Sequence, residues 1–118
     1  MVKFEDLIGK TISTIVGAVK GSEQISFTLN TDEQYYMNHV QDCCESVLVE
    51  DVCGDVNDLI GSKILKASED SNNGENGYYD GSFTWTFYNI ATRKGHVTIR
   101  WYGTSNGYYS ESVNFCKC

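Results

Sequence analysis

Residues 82–115 read SFTWTFYNIATRKGHVTIRWYGTSNGYYSESVNF, and this stretch decides the fold class. Phe83, Trp85 and Phe87 alternate with Thr84, Thr86 and Tyr88. Val97, Ile99 and Trp101 alternate with His96, Thr98, Arg100 and Tyr102. A period of two marks a strand with one apolar and one polar face. The pattern predicts strands over 82–92, 96–103 and 108–115, joined by tight turns at Arg93-Lys94-Gly95 and at 104–107, as an antiparallel meander. The core face expected from it holds Phe83, Trp85, Phe87, Val97, Ile99 and Trp101, with Tyr109, Val113 and Phe115 from the third strand. The opposite face presents Thr84, Thr86 and Tyr88, then Arg100 and Tyr102, then Tyr108, Ser110 and Ser112.

The N-terminal part extends the same picture. Ile25, Phe27 and Leu29 share one face of a strand over 24–30, a turn follows at 30–33, and 34–39 returns. Residues 11–19 and 46–52 are further strands, 63–68 is extended, and 69–77 reads as a polar loop. Short helical turns are expected over 4–8 and 56–60, each stopped by a glycine, Gly9 and Gly61. Asp6-Leu7-Ile8-Gly9 followed by Ile12 recurs as Asp58-Leu59-Ile60-Gly61 followed by Ile64, and Glu45-Ser46-Val47 recurs as Glu111-Ser112-Val113. At 118 residues the chain has the size of one domain. The expected fold is thus a single β-dominated α+β domain over 1–118. It has seven or eight antiparallel strands and two short helices, in repeated halves 1–52 and 53–118 forming a sandwich or barrel-like assembly.

Charge narrows the partners. The net charge is −7, which disfavours general nucleic-acid binding through phosphates. Residues 1–80 hold fifteen acids against five Lys or Arg, whereas 81–110 hold no acid and carry Arg93, Lys94 and Arg100. No apolar run reaches the roughly 18 residues of a membrane helix, and the start, MVKFEDLIGK, has no signal-peptide pattern. A cytoplasmic location is expected. The five cysteines lack the spacing of common structural zinc sites, so free or packed thiols are expected, with no metal and no cofactor.

Three groups of residues invite a functional reading. His39, Asp42, Cys43, Cys44 and Glu45 place an imidazole, two carboxylates and two thiols within seven residues. They form either a ligating or nucleophilic cluster, or a turn in which Asp42 caps backbone amides. Glu45 and Glu111 share the parity of the valine two residues on. Each carboxylate then points toward the apolar face, as one of an acid pair for hydrolysis or as a strand-end group bonding backbone amides. Arg100, Trp101, Tyr102, Ser105, Asn106, Tyr108, Tyr109 and Glu111 have the aromatic, Ser/Asn-rich make-up of recognition surfaces, and equally of a hairpin held by cross-strand aromatic pairs. Trp101 belongs to the core by parity and to the recognition surface by composition.

The blocks QDCCE (41–45) and WYGTSNGYYSE (101–111) resemble a family of small uncharacterised proteins found largely in bacteriophages and prophages, the domain of unknown function DUF7448, over roughly residues 10–115. The resemblance implies phage context. The expectation is then a non-catalytic accessory protein in counter-defence, binding a host small-molecule signal of anionic, nucleotide type or a host nuclease or immune protein in the host cytoplasm. Self-association is a further expectation, since a small domain with an aromatic outer surface has reason to pair. The alternative is a hydrolytic enzyme using the Cys/His cluster or the paired carboxylates.

Overall fold

A computed structural model describes residues 2–76, 81–107 and 109–117. Among the described residues there are eight strands: β1 (Ile12–Val16), β2 (Gln24–Leu29), β3 (Gln34–Asn38), β4 (Ser46–Cys53), β5 (Ile64–Asn76), β6 (Gly81–Thr92), β7 (Gly95–Ser105) and β8 (Asn114–Lys117). They form two four-stranded sheets, ordered β1-β2-β3-β8 and β4-β7-β6-β5, with every strand pair antiparallel. The two short helices are single 3₁₀ turns, Phe4–Leu7 and Val56–Leu59. The architecture is therefore β-dominated, as the alternation predicts, with two packed sheets and, among the described residues, no closed barrel.

Each sheet is built from both halves of the chain. β1-β2-β3 is a meander from the first half, completed by β8. The second sheet is the meander β5-β6-β7, completed by β4. The last strand of each half thus crosses to the other sheet, through 39–45 and 106–113. Where the halves begin they are tied reciprocally: Gly9 N–H donates to the Ile64 carbonyl at 2.8 Å, and Gly61 N–H to the Ile12 carbonyl at 2.9 Å. Both glycines hold positive φ, +89° and +81°, where a side chain would be strained.

One core lies between the sheets. Ile25, Phe27, Leu29, Tyr35 and Met37 face Val47, Val49, Ile99, Trp101 and Tyr88 within a single buried cluster, closed by Phe4, Leu7 and Leu59 from the 3₁₀ turns. Trp101 is fully buried, and its indole N–H reaches across to Met37 Sδ at 3.0 Å. Its place in the core settles the conflict between parity and composition, and removes it from the recognition surface.

The structure corrects the sequence reading in three places. Thr92 pairs with Gly95, so the β6–β7 turn has two residues, Arg93 and Lys94. A three-residue turn would pair even with even positions. The shorter turn sets Thr86 opposite Trp101, Tyr88 opposite Ile99 and Ile90 opposite Val97, and so buries Thr86, Tyr88 and Ile90. Phe83, Trp85 and Phe87 turn outward instead, because a one-residue change of register inverts every side chain. Second, 69–76 is not a loop: β5 continues to Asn76 as an edge strand, with the polar side chains of 69–73 and 75 in solvent and its backbone bonded to β6, while residue 77 of the expected loop lies outside the described residues. Third, the meander does not continue after β7. The described part of 106–113 is irregular, and β8 joins β3 in the other sheet.

The two tryptophans therefore separate in stability. Trp101→Ala should cost about 3–5 kcal/mol, whereas Trp85→Ala, which loses only cross-strand contacts on the outer face, should cost about 1–2 kcal/mol. Urea unfolding measures both, and equal losses would contradict the register.

Candidate functional site

Two neighbourhoods gather the candidate residues, one at the crossovers and one on the outer face of the second sheet.

At the first crossover the chain folds around the Glu45 carboxylate, which is buried. Asp42 N–H donates to Oε2 at 2.9 Å and Cys43 N–H to Oε1 at 2.8 Å, while Gln41 Nε2 reaches Oε1 at 3.2 Å and the Glu45 carbonyl at 2.7 Å. His39 Nε2 completes the set, 2.8 Å from Oε2. These bonds, that of His39 first, hold the carboxyl down to about 2 against the burial that opposes ionisation. The amides are thus capped by Glu45; Asp42, to which that role was assigned from sequence, is exposed and contributes its own N–H. The other ring nitrogen of His39, Nδ1, lies 2.6 Å from the Ser112 carbonyl. Both partners are acceptors, so only the doubly protonated ring makes the two bonds at once. His39 therefore ties the first crossover to the second.

At the second crossover Glu111 is buried in the equivalent place, before Ser112-Val113. Ser82 and Ser105 donate to Oε2 at 2.5 Å and Thr84 to Oε1 at 2.7 Å. Burial pushes this carboxyl up, and the hydroxyls of Ser105, Ser82 and Thr84 outweigh it and hold it below the usual range. Ser105 is thus committed to Glu111. The backbone here is tight: a Cβ on Gly103 would sit 3.0 Å from Glu111 Cβ and 3.1 Å from Val47 Cγ2.

Both carboxylates point inward, as parity predicts, and both are fully bonded. Cys43 and Cys44 lie side by side at the crossover, both exposed. Both nitrogens of His39 are engaged. A cleft of about 270 Å³ opens beside it, lined by Glu23, His39, Gln41, Glu45 and Leu48 among others.

The outer face of the second sheet is the other neighbourhood. Trp85 pairs with Tyr102, Phe87 with Arg100 and Phe83 with Thr104, so these side chains stand on the side away from the core, each half-buried. Trp85 and Tyr102 have ring centroids 4.5 Å apart, and Trp85 and Phe87 6.3 Å apart with planes at 17°. The Phe83 ring covers Gly74 of β5, where a Cβ would lie 2.8 Å from Cζ. Such cover of a strand glycine by a cross-strand aromatic is a known sheet device. Arg100 lies over Trp85 at 5.4 Å and is bonded twice to Asp51 of β4, Nε to Oδ1 at 2.6 Å and Nη2 to Oδ2. The pair raises the arginine and lowers the aspartate from their ordinary values. Leu48, paired with Tyr102, lies on this face and also lines the cleft, so the two are contiguous.

The sequence-predicted residues thus divide. Arg100 and Tyr102 belong to the outer face, whereas His39, Glu45, Ser105 and Glu111 belong to the crossovers. Asn106 is exposed in the turn after β7, Tyr109 is half-buried beyond it, and Tyr108 lies outside the described residues. Phe83, Trp85, Phe87, Asp51 and Leu48 were missed as surface residues. The signal for the aromatics was the length of the 93–94 turn.

The chain belongs to the DUF7448 family. Its match, to a domain of unknown function, spans residues 5–115. No curated protein and no solved structure matches the chain. Among the described residues no helix is long and apolar enough to cross a membrane.

Acid should expose the role of Glu45. Its folded value of about 2 lies below the ordinary 4.5, so the stabilisation is complete above about pH 4.5 and is lost as pH falls toward 2. In urea unfolding across that window, Glu45→Gln should lower stability at pH 7 and make the acid limb shallower. Glu33, Asp51 and Glu111, which shift the same way, leave a remaining slope. An unchanged limb would contradict the cradle.

Proposed function

We propose that this protein is a non-catalytic phage or prophage accessory protein, acting in counter-defence, that binds a host effector protein through the outer face of the second sheet. The observation that carries this reading is the row Phe83, Trp85, Phe87 and Tyr102, four aromatic side chains placed outward with Arg100 stacked on Trp85. Aromatics and arginine dominate the energetic centres of protein interfaces, because they bury large area at low entropy cost. Here the rings are already packed on one another, which reduces the ordering that binding would require.

A protein surface is the better occupant than a small anionic signal. Two nitrogens of the Arg100 guanidinium are taken by Asp51, which neutralises its charge and occupies the fork that a phosphate would use. The enzyme alternative draws less support, because Glu45, Glu111 and His39 spend their hydrogen-bonding capacity on the fold. The phage context rests on the resemblance of the QDCCE and WYGTSNGYYSE blocks.

The test is capture from host extract with the wild-type chain and with the double variant Trp85→Ser/Tyr102→Ser, quantified by mass spectrometry at low and high salt. A specific partner should be retained by the wild type in high salt and weakened at least about tenfold in the double variant. Retention of the same partner by the double variant, with binding that collapses in salt, would instead favour an acidic decoy surface.

A further inference from the structure

We propose that the cleft between residues 61–63 and the β6–β7 turn is a binding site for a small organic phosphate. Lys63, Arg93 and Lys94 hold the phosphate, and Leu65 packs against the body of the ligand. The cleft has a volume of about 330 Å³ and is lined by Gly61, Ser62, Lys63, Leu65 and Arg93. Lys94 Nζ stands beside it, 3.7 Å from where a Cβ on Gly61 would be. Among the described residues none of these three cations is in an ion pair, although the chain carries a net charge of −7. Asp58 lies against Gly95 and lines no part of the cleft. Unneutralised positive charge is thus gathered at one point of an acidic molecule, where it attracts anions.

Two local rules are broken at this cleft. A two-residue hairpin turn favours Asn-Gly and similar pairs with positive φ. Arg93 and Lys94 stand there instead, neither with positive φ. Leu65 is the extra residue of a bulge, since Ile64 pairs with Thr92 and Lys66 with Ala91. Bulges re-aim side chains beside functional sites, and this leucine is 55% exposed on the wall of the cleft. Departures from local preference are expected where function requires them.

The walls are also fixed before anything binds. Lys94 Nζ donates to the Ile60 carbonyl at 2.7 Å, a neutral acceptor that positions the ammonium and leaves its charge intact. The Thr92 hydroxyl donates to the Asp58 carbonyl at 2.5 Å and accepts from Lys94 N–H at 3.2 Å. The β6–β7 turn is thereby stapled to the 3₁₀ turn Val56–Leu59, from which the chain runs into Gly61 and Ser62. Such preorganisation lowers the cost of binding.

The charges select the ligand. A phosphomonoester carries close to two negative charges at neutral pH and three acceptor oxygens. An arginine fork and two ammonium groups match that set, whereas a monocarboxylate would leave more of the positive charge unanswered. Leu65 offers apolar area that inorganic phosphate cannot use, so the phosphate belongs to a larger and partly apolar body. The site is separate from the aromatic face: Arg93 is six positions beyond Phe87, roughly 20 Å along extended backbone.

The test is titration of the isotope-labelled full chain with phenyl phosphate and with inorganic phosphate at constant low ionic strength, followed by amide resonances. Amides of 61–65 and 92–95 should move saturably, and phenyl phosphate should bind about fivefold or more tightly than inorganic phosphate. Leu65→Ser should erase that margin and leave the binding of inorganic phosphate intact. Lys63→Gln/Arg93→Gln should weaken both ligands at least about tenfold, and each single substitution by less, with the remaining resonances showing that the fold is kept. No saturable movement of these amides through the millimolar range, or undiminished affinity in the substituted chains, would overturn the site. Equal affinity of the wild type for the two ligands, or a margin that survives Leu65→Ser, would overturn the placement of the ligand body.

Discussion

Thr92 faces Gly95 across a two-residue turn, and the side of the sheet that each β6 side chain takes relative to β7 follows from that pairing. It turns Tyr88 and Ile90 inward to meet Ile99 and Val97, and it sets Trp101 over Met37 of the opposite sheet. It also leaves Phe83, Trp85 and Phe87 with no core to enter, so they pack on Tyr102, Gly74, one another and the guanidinium of Arg100 instead. A stable core and an adhesive outer surface are two consequences of one register.

The second constraint is the crossing of β4 and β8. A chain that leaves one sheet for the other must bury part of its connection, and buried backbone must be hydrogen-bonded. Glu45 meets this need for 42 and 43, and Glu111 gathers the hydroxyls of Ser82, Thr84 and Ser105 where the return passes. His39 links the two connections. The carboxylates that resemble an acid pair on paper are the groups that let the sheets exchange strands.

Much of this was legible in the residues. The alternation of Ile25, Phe27 and Leu29, the glycine stops at Gly9 and Gly61, and the inward parity of Glu45 and Glu111 are local signals, and they correspond to what is observed. The fate of the 82–92 strand was not legible from hydrophobicity, because its aromatic face with Phe83, Trp85 and Phe87 is the one turned away from the core. Only the turn length decides between faces, and Arg93-Lys94-Gly95 accommodates either two or three residues. The extent of β5 was hidden because an edge strand needs no apolar side chains when its backbone is paired on one side. The crossing of β8 was hidden because pairing with β3 is a long-range choice that a short connection does not reveal.

The outward placement of Trp85 and the inward placement of Trp101 are the centre of the account, since both the core and the binding face rest on them. Hydrogen exchange of the two indole N–H groups, followed by nuclear magnetic resonance in the native state, tests this most directly. Trp101 should be protected to the level of the slowest core amides, while Trp85 exchanges far faster. Protection of Trp85 together with rapid exchange at Trp101 would contradict the register and the binding face built on it.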